Sequence, residues 1–550
     1  MRGLMQDRPL DVAALMRRVE LLFGHKRVVT GTANGEVVAS WATVVARARR
    51  LAAVLDALEV APQARVGTFG WNTQRHVELY MAVPSSGRVL HTINHRLFAD
   101  EITYIVNDAA DEVLFVDRSL LPRVWPLVDR CPTVRSVVVM DDGGTEEVPR
   151  DFRIVDYEEL LAEAPEPARH VTVEEDDAAS LCYTSGTTGR PKGVLYSHRS
   201  VALHALLLLG VDNFAISERD VVMPIVPMFH VNAWGLPYAA MLAGSDLVLP
   251  GPAMSSPALI EQMTRHRVTF SAGVPTIWRG MVPLLDGADL SALRMVICGG
   301  GAVPDSLSRA WQEATGIPLT NAWGMTETSP VVTCSRLGTV HDGLDSDARR
   351  AVLGSPGPSL PLTEIRIADE KGTLVERDGT TPGELQAAGA TVASGYFGAD
   401  PAPSSFTDDG WLRTGDVGTI DSYGYLRIVD RTKDLVKSGG EWISSVTLEN
   451  EIMSHPAVHE AAVIAVPDDR WGERPLACVV PVPGQTLDEE ELRSHLGDRV
   501  ASWWVPEQIW IMDEIPKTAT GKFSKLALRE LAASRETGAG RTRATSESGS

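Results

Sequence analysis

The sequence predicts an α/β protein: a large N-terminal domain of several subdomains with parallel sheets and a β-rich subdomain, followed by a small α+β C-terminal domain. Three observations carry this. At 550 residues the chain is too long for one core. Through most of its length, helical periodicity alternates with short apolar runs, the pattern of βαβ units. Near residue 352 the pattern changes to short strands punctuated by Gly and Pro, and then to a mixed unit of roughly a hundred residues, large enough to fold as its own domain.

In chain order, Val12–Phe23 and 42–58 read as helices, and 64–69 and 112–116 as strands. Residues 141–150, with paired glycines and mixed charges, read as a surface loop. Ala178-Ala-Ser-Leu-Cys182 is an apolar strand that enters Tyr183-Thr-Ser-Gly-Thr-Thr-Gly-Arg-Pro-Lys-Gly-Val194. Beyond it, 259–266 is read as helix, 268–272 as strand, 275–285 as helix and 293–297 as a strand ended by Gly299-Gly-Gly301. Short strands are expected at 364–367, 383–385 and 424–428, then a helix at Ser445–Met453, strands at 461–466 and 475–480, and a helix at 487–496. From Ser534 the chain is Ser, Thr, Gly and Arg without an apolar face, and is expected to be disordered.

The stretch from Tyr183 to Val194 is the strongest chemical signal. Gly186, Gly189 and Gly193 allow tight turns that bring N–H groups to an anion, Thr184, Ser185, Thr187 and Thr188 add hydroxyls, and Lys192 adds a positive charge. The spacing is not that of a Walker loop, which needs four residues between its first glycine and Gly-Lys-Ser/Thr. The competing reading is an ordinary polar turn.

Composition narrows the partners. With 51 basic and 72 acidic residues the formal charge is -21, which argues against nucleic acid or an anionic membrane as the main partner. Five widely spaced cysteines indicate neither a disulfide framework nor a metal site, and fit a reducing cytoplasm. The longest apolar run, 201–211, is about half a membrane span and contains His204, so no transmembrane segment is expected.

Six motifs occur in one order: Tyr183 to Val194, Pro227-Met-Phe-His230, Trp323-Gly-Met-Thr-Glu-Thr328, Arg413-Thr-Gly-Asp416, Asp430-Arg-Thr-Lys-Asp434 and Pro516-Lys-Thr-Ala-Thr-Gly-Lys522. Together they resemble the adenylate-forming, AMP-binding superfamily. The flanks of His230 and Lys433-Asp-Leu-Val-Lys-Ser-Gly-Gly-Glu-Trp442 look most like bacterial medium- and long-chain fatty-acyl-CoA synthetases. The resemblance implies a two-step ligase. A carboxylate attacks the α-phosphate of ATP to give acyl-AMP and pyrophosphate, and the thiol of coenzyme A then takes the acyl group. It also implies Mg2+ on Thr184 and Glu327, with Thr326 on the α-phosphate, Trp323 against adenine, and Gly301, Asn321 and Ala322 along its edge. Asp416 and Arg431 would hold the ribose, and Lys522 would bridge the attacking carboxylate and the α-phosphate.

The same resemblance divides the chain into an N-terminal domain at 1–430, a hinge at 431–434 containing Lys433, a mobile lid at 435–533 and a tail at 534–550. Lys437, Gly439, Gly440 and Trp442 would face the active site in the thioester-forming state. His230, Val231 and Trp234, following a helix-like stretch, would line the acyl pocket, though isolated His and Trp residues on apolar segments are usually packing residues. Taken one at a time, Glu327 could be a surface acid, Trp323 a core residue, Asp416 and Arg431 a surface pair, and Lys522 a solubilising charge.

The expected substrate is a fatty acid. The alternatives are an aryl, branched or sulfur-containing short acid, or delivery of the acyl group to a carrier protein. Retention of Lys192, Glu327, Asp416 and Lys522 argues against a degenerate, non-catalytic homologue, and the lack of a carrier domain after Lys522 favours free coenzyme A. Similarity to the bacterial fatty-acyl enzymes suggests a homodimer.

Overall fold

Apolar runs bounded by helical segments build two sheets in the first half of the chain. The computed structural model describes all residues except Arg2, 165–170, 185–189, 399–404, Gly440, 519–522 and 545–550, and only the backbone of 536–544. One sheet has seven strands in the order Ile154–Asp156, Ser136–Met140, Val113–Asp117, Arg65–Phe69, Val89–Thr92, Ala178–Tyr183 and Gly193–Ser197. All neighbours are parallel except the last pair, which runs antiparallel and flanks the glycine-rich loop. Val113–Asp117 is buried along its whole length, as expected when helices cover both faces of a parallel sheet.

The second sheet has eight strands: Val331–Cys334, Leu319–Gly324, Met295–Gly299, Phe270–Gly273, Val221–Pro224, Asp246–Leu249, Arg27–Thr32 and Gly35–Ser40. It is parallel inside and antiparallel at both ends. Met295–Gly299 and Leu319–Gly324 end on glycines, where a flat ligand can approach the backbone beyond the carboxyl ends of the strands.

The helix Val12–Phe23 shows why such segments fold where they do. Asp11 caps it by accepting from the Ala14 amide at 2.5 Å, and Val12, Leu15, Met16 and Val19 recur at helical spacing to bury one stripe. Its core neighbours include Trp41, Tyr80, Trp234 and Tyr238, all buried.

The chain divides into two compact units. One comprises Met1–Gly300, Ala310–Ile365 and Ala387–Leu412; the other comprises Gly301–Arg309, Arg366–Gln386 and Arg413–Ser550. The second unit holds most of a four-stranded sheet, ordered Thr363–Ala368, Gly383–Gly389, Leu412–Ile420 and Leu426–Arg431. It also holds a five-stranded sheet built around the long antiparallel pair Val458–Asp468 and Gly472–Pro481. Within the second unit, Ser444 donates to the Val429 carbonyl at 2.6 Å, and the Ser445 amide and hydroxyl donate to Asp430, so the strand before the expected hinge at 431–434 is bonded to the helix after it.

The C-terminus also differs from expectation. A helix spans Lys525–Ala544, so 534–544 are helical where a disordered tail was expected, and 545–550 lie outside the described residues. Leu528 and Ala532 are buried against Ile464 and Leu476, and once a helix is anchored each further turn costs little.

All five cysteines are free and buried. Among the described residues, no helix is long and apolar enough to cross a membrane, and no group of three or more His, Cys, Asp or Glu side chains could hold a metal ion.

Candidate active site

The antiparallel strands Ala178–Tyr183 and Gly193–Ser197 bring the two ends of the glycine-rich loop together. The loop is closed at its base by two bonds. The Thr184 amide donates to the Lys192 carbonyl at 2.9 Å, and the Lys192 amide donates to Thr184 Oγ1 at 3.2 Å. This fixes the Thr184 hydroxyl and Lys192 side by side. Residues 185–189, expected to supply most of the phosphate-binding amides and hydroxyls, lie outside the described residues.

Tyr396 links Lys192 to the buried acid Glu327, which is 7% exposed. The Lys192 ammonium lies over the Tyr396 ring, 4.7 Å from its centre, and the Tyr396 hydroxyl donates to Glu327 Oε1 at 2.8 Å. Burial, and then the charge of Glu327, push the Tyr396 phenol up, so it remains a donor at neutral pH. Two backbone bonds register the same segment: Ala393 N–H to the Glu327 carbonyl at 2.7 Å, and Phe397 N–H to the Gly193 carbonyl at 2.8 Å. The Tyr196 hydroxyl, on the strand leaving the loop, donates to the Thr326 carbonyl at 2.6 Å. Thr184, Lys192, Thr326 and Glu327 are thereby gathered by two tyrosines. Sequence reasoning missed Tyr396, although Gly395-Tyr-Phe-Gly398, an aromatic pair between glycines, was available as a signal.

The stretch 231–235 departs from expectation. It follows a strand and a short turn rather than a helix, and Val231, Asn232, Ala233, Trp234 and Gly235 have φ of 49°, 52°, 50°, 56° and 72°, a single left-handed turn. Such a turn costs roughly 1–2 kcal/mol for each residue other than glycine. Its surroundings hold it: Asn232 Oδ1 accepts from the Ser180 hydroxyl at 3.2 Å, and a Cβ at Gly235 would lie 2.6 Å from the His204 ring. Burial pushes His204 down to about 3, leaving it neutral to accept from the Val331 amide at 3.2 Å. Trp234 is thereby turned toward the ends of the central strands, where a Cβ at Gly299 would lie 3.0 Å from its ring. Gly299 is paired with Ala322, so the expected acyl-side tryptophan meets the expected adenine edge.

Asn321, expected along the adenine edge, is anchored by two bonds. Its amide nitrogen donates to the Gly354 carbonyl at 2.8 Å and its own carbonyl accepts from Ser335, which makes it a brace for the strand end. Trp323 is half-buried and paired with Thr333 in the antiparallel edge.

In the second unit, Asp416 and Arg431 face each other across antiparallel strands, with Arg431 Nε 3.1 Å from Asp416 Oδ1. Asp416 is 7% exposed, and its amide is held by Thr414 Oγ1 at 3.1 Å. Lys433 is exposed, and partial desolvation followed by the neighbouring Arg431 pulls its amine down. Lys437 and Trp442 pair across a short antiparallel ladder, with the ammonium 4.8 Å from the indole centre. Lys522 and Gly440 lie outside the described residues, and Gly301 is exposed in a bend.

The lysine and buried acid at the base of the glycine-rich loop in the first unit, and the carboxylate–arginine pair in the second, are each groups suited to a nucleotide. Comparison with known families decides which kind. The family described as AMP-binding enzyme matches residues 21–397, and the AMP-binding enzyme C-terminal domain matches 447–522. The chain belongs to the AMP-binding enzymes.

This AMP-binding enzyme is 46% identical to a long-chain-fatty-acid–CoA ligase of Thermus thermophilus over 531 residues, covering 96% of each chain. It is 42% identical to a 3-methylmercaptopropionyl-CoA ligase of Ruegeria pomeroyi, over 96% of this chain and 98% of the relative. Among solved structures it resembles the anthranilate CoA ligase AuaEII in complex with anthranoyl-AMP, with a TM-score of 0.86 at 27% identity, covering 97% of this chain and 100% of the other. ATP-bound MatB from Rhodopseudomonas palustris gives a TM-score of 0.81 at 29% identity, over 95% and 99% of the two chains. The two-sheet architecture with a β-rich sheet and a small C-terminal α+β part is thus that of adenylate-forming enzymes.

The Tyr396 bridge makes a prediction for this AMP-binding enzyme. Tyr396→Phe keeps the ring under Lys192 and removes only the donor to Glu327, a bond to a charged group worth about 1.5–3 kcal/mol. Acid-dependent pyrophosphate release is expected to fall about tenfold or more, and Tyr396→Leu, which also removes the ring, should fall further. Equal rates for wild type and Tyr396→Phe would deny Tyr396 its role in orienting Glu327.

Proposed function

We propose that this enzyme is an ATP-dependent acyl-CoA synthetase that joins a fatty acid to coenzyme A through an acyl-AMP intermediate, releasing AMP and pyrophosphate. The observation that carries the reading is the assembly of Thr184, Lys192 and Glu327 around Tyr396 at the base of the glycine-rich loop, within a chain similar to fatty-acyl-CoA ligases along almost its whole length.

A carboxylate is a weak nucleophile and the triphosphate repels it, so adenylation needs charge neutralisation and alignment more than covalent help. Lys192 sits on an aromatic face rather than in an ion pair with Glu327, which leaves its charge available to phosphate. Mg2+ fits the donors present, because it prefers oxygen ligands and is held by one or two carboxylates, waters and substrate phosphates rather than by a protein cage. Thr184 and Glu327 would hold it, and when bound it supplies positive charge against the triphosphate. Asp416 takes the ribose hydroxyls, with Arg431 orienting its carboxylate.

Lys522 aligns the attacking carboxylate with the α-phosphate. Lys433 is the hinge about which 435–533 turns, so that Lys437, Gly439 and Trp442 replace Lys522 for thioester formation. The enzyme acts in the cytoplasm as a homodimer. The mixed acid specificities in the names of the relatives support keeping a sulfur-containing short acid as the second reading.

Pyrophosphate release across straight-chain acids of increasing length, with and without coenzyme A, tests the reading. Release must require an acid, rise toward medium or long chains, and yield thioester only with coenzyme A. A preference for short sulfur-containing or aryl acids would replace the fatty-acid assignment. The left-handed turn predicts which residue sets the profile: Trp234→Ala should change the ratio of kcat/KM between the longest and shortest acids by about tenfold. An unchanged ratio would remove Trp234 from the acyl site.

A further inference from the structure

The helix Lys525–Ala544 starts three residues after Lys522, and from its first turns two basic side chains reach the segment around Lys433. Arg529 Nη2 donates to the Lys433 carbonyl at 3.1 Å and to Asp434 Oδ1 at 2.5 Å. Lys525 Nζ lies 2.7 Å from Glu449 Oε1 and 2.5 Å from the Ser445 hydroxyl, which itself donates to Asp430 at 2.6 Å. Burial pulls the Lys525 amine down, but the carboxylates of Glu449 and Asp430 outweigh it and raise it overall. On the other side, the Thr432 amide donates to the Gly415 carbonyl at 2.9 Å.

The anchored points are therefore the Thr432 amide, bonded to the strand Leu412–Ile420, and the Lys433 carbonyl, bonded to the C-terminal helix. Between them lie only the later dihedrals of Thr432 and those of Lys433. Other bonds cross this gap, from the Asp434 and Leu435 amides to the Arg431 carbonyl at 2.9 and 3.0 Å and from Ser444 and Ser445 to the Val429 carbonyl and Asp430, and a rotation there must break them. The contacts of Arg529 to Asp434 and to the Lys433 carbonyl turn with the helix instead.

We propose that Arg529 is a positioning residue for thioester formation. By tying the Lys433 carbonyl and Asp434 to the C-terminal helix, it confines the rotation to Thr432 and Lys433, so that the small domain swings as one body about a defined pivot. The inference rests on the two-orientation reading given under Proposed function. Arg529 touches no substrate. In the adenylating orientation, Lys522 on the substrates supplies a second anchor; in the other orientation the pivot sets the aim by itself, so loss of Arg529 falls on the second half-reaction.

The test uses the full chain with active sites titrated by tightly bound adenylate. Two rates are measured for wild type, Arg529→Ala, Arg529→Lys and Asp434→Asn: single-turnover pyrophosphate release from acid and ATP, and thioester formation from supplied acyl-adenylate and coenzyme A. Arg529→Ala is expected to lower the second rate about tenfold, with KM for coenzyme A within about twofold and the first rate within about threefold. Asp434→Asn, which removes the same ion pair from the other side, should lower the same ratio, and Arg529→Lys should recover part of it. A side chain that only stabilises the fold would change the active fraction and the melting temperature while leaving the ratio of the two rates at the wild-type value, and that result overturns the proposal. Wild-type enzyme that releases no acid-dependent pyrophosphate would overturn the parent reading and the proposal with it.

Discussion

Lys522→Ala is expected to lower acid-dependent pyrophosphate release by about 10³-fold, while the variant still converts supplied acyl-adenylate and coenzyme A to thioester at a rate within a few-fold of wild type. The asymmetry follows from where charge develops. In the first step a carboxylate and a triphosphate, both anionic, must be brought to attack distance, and a compact ammonium can follow negative charge as it moves from the attacking oxygen to the α-phosphate. In the second step the acceptor is an acyl carbonyl and the nucleophile a thiol, and in the proposed two-orientation cycle Lys522 no longer faces them. The chain immediately after it is firmly held, since Lys525 is bonded to Glu449 and Ser445. Deleting one side chain at 522 should therefore not loosen the domain, and the melting temperature should stay within a degree or two of wild type. Normal adenylation in the variant would mean that Lys522 has been given the wrong role.

Glu327→Gln should lower adenylation by about 10²-fold and raise the Mg2+ concentration for half-maximal rate about tenfold. Glutamine keeps the length of the side chain, and its carbonyl can still accept from the Tyr396 hydroxyl, so the substitution removes charge while retaining the bond seen at 2.8 Å. The backbone of residue 327 is held independently by the Ala393 amide, which keeps the loop in place. Titrating pyrophosphate release against Mg2+ separates the two roles open to this acid. A carboxylate that only positions Tyr396 would give the same Mg2+ dependence in both proteins, and that outcome would remove Glu327 from the metal.

Much of the fold was legible because burial imposes a period. Val12–Phe23 and Ser445–Met453 have the predicted bounds, since each carries a capping side chain and an apolar stripe at helical spacing. The parallel strands were visible as apolar runs because both of their faces are covered. The motifs located Thr184, Lys192, Glu327 and Asp416, and the structure gathers the first three while pairing the last with Arg431.

What escaped the sequence was held by contacts distant along the chain. Tyr396 lies 69 residues from Glu327, and nothing local says that its hydroxyl will meet that carboxylate. The left-handed turn at 231–235 contradicts the local preferences of Val231 and Trp234 and is stable only because Asn232 is bonded to Ser180 and Gly235 lies against His204. The amide of Asn321 is bonded to the Gly354 carbonyl, 33 residues away, a brace that no local pattern shows. Arg529 belongs to none of the sequence motifs, and only its partners, the Lys433 carbonyl and Asp434, give it a meaning.

The proposed cycle turns on activation of a carboxylic acid as its adenylate before any thiol is involved. Exchange of labelled pyrophosphate into ATP measures that step directly. Exchange is expected to require both a fatty acid and Mg2+, to proceed without coenzyme A, and to be abolished by Lys522→Ala. Exchange that appeared only with coenzyme A present, or that ran at the same rate without an acid, would contradict the proposed cycle.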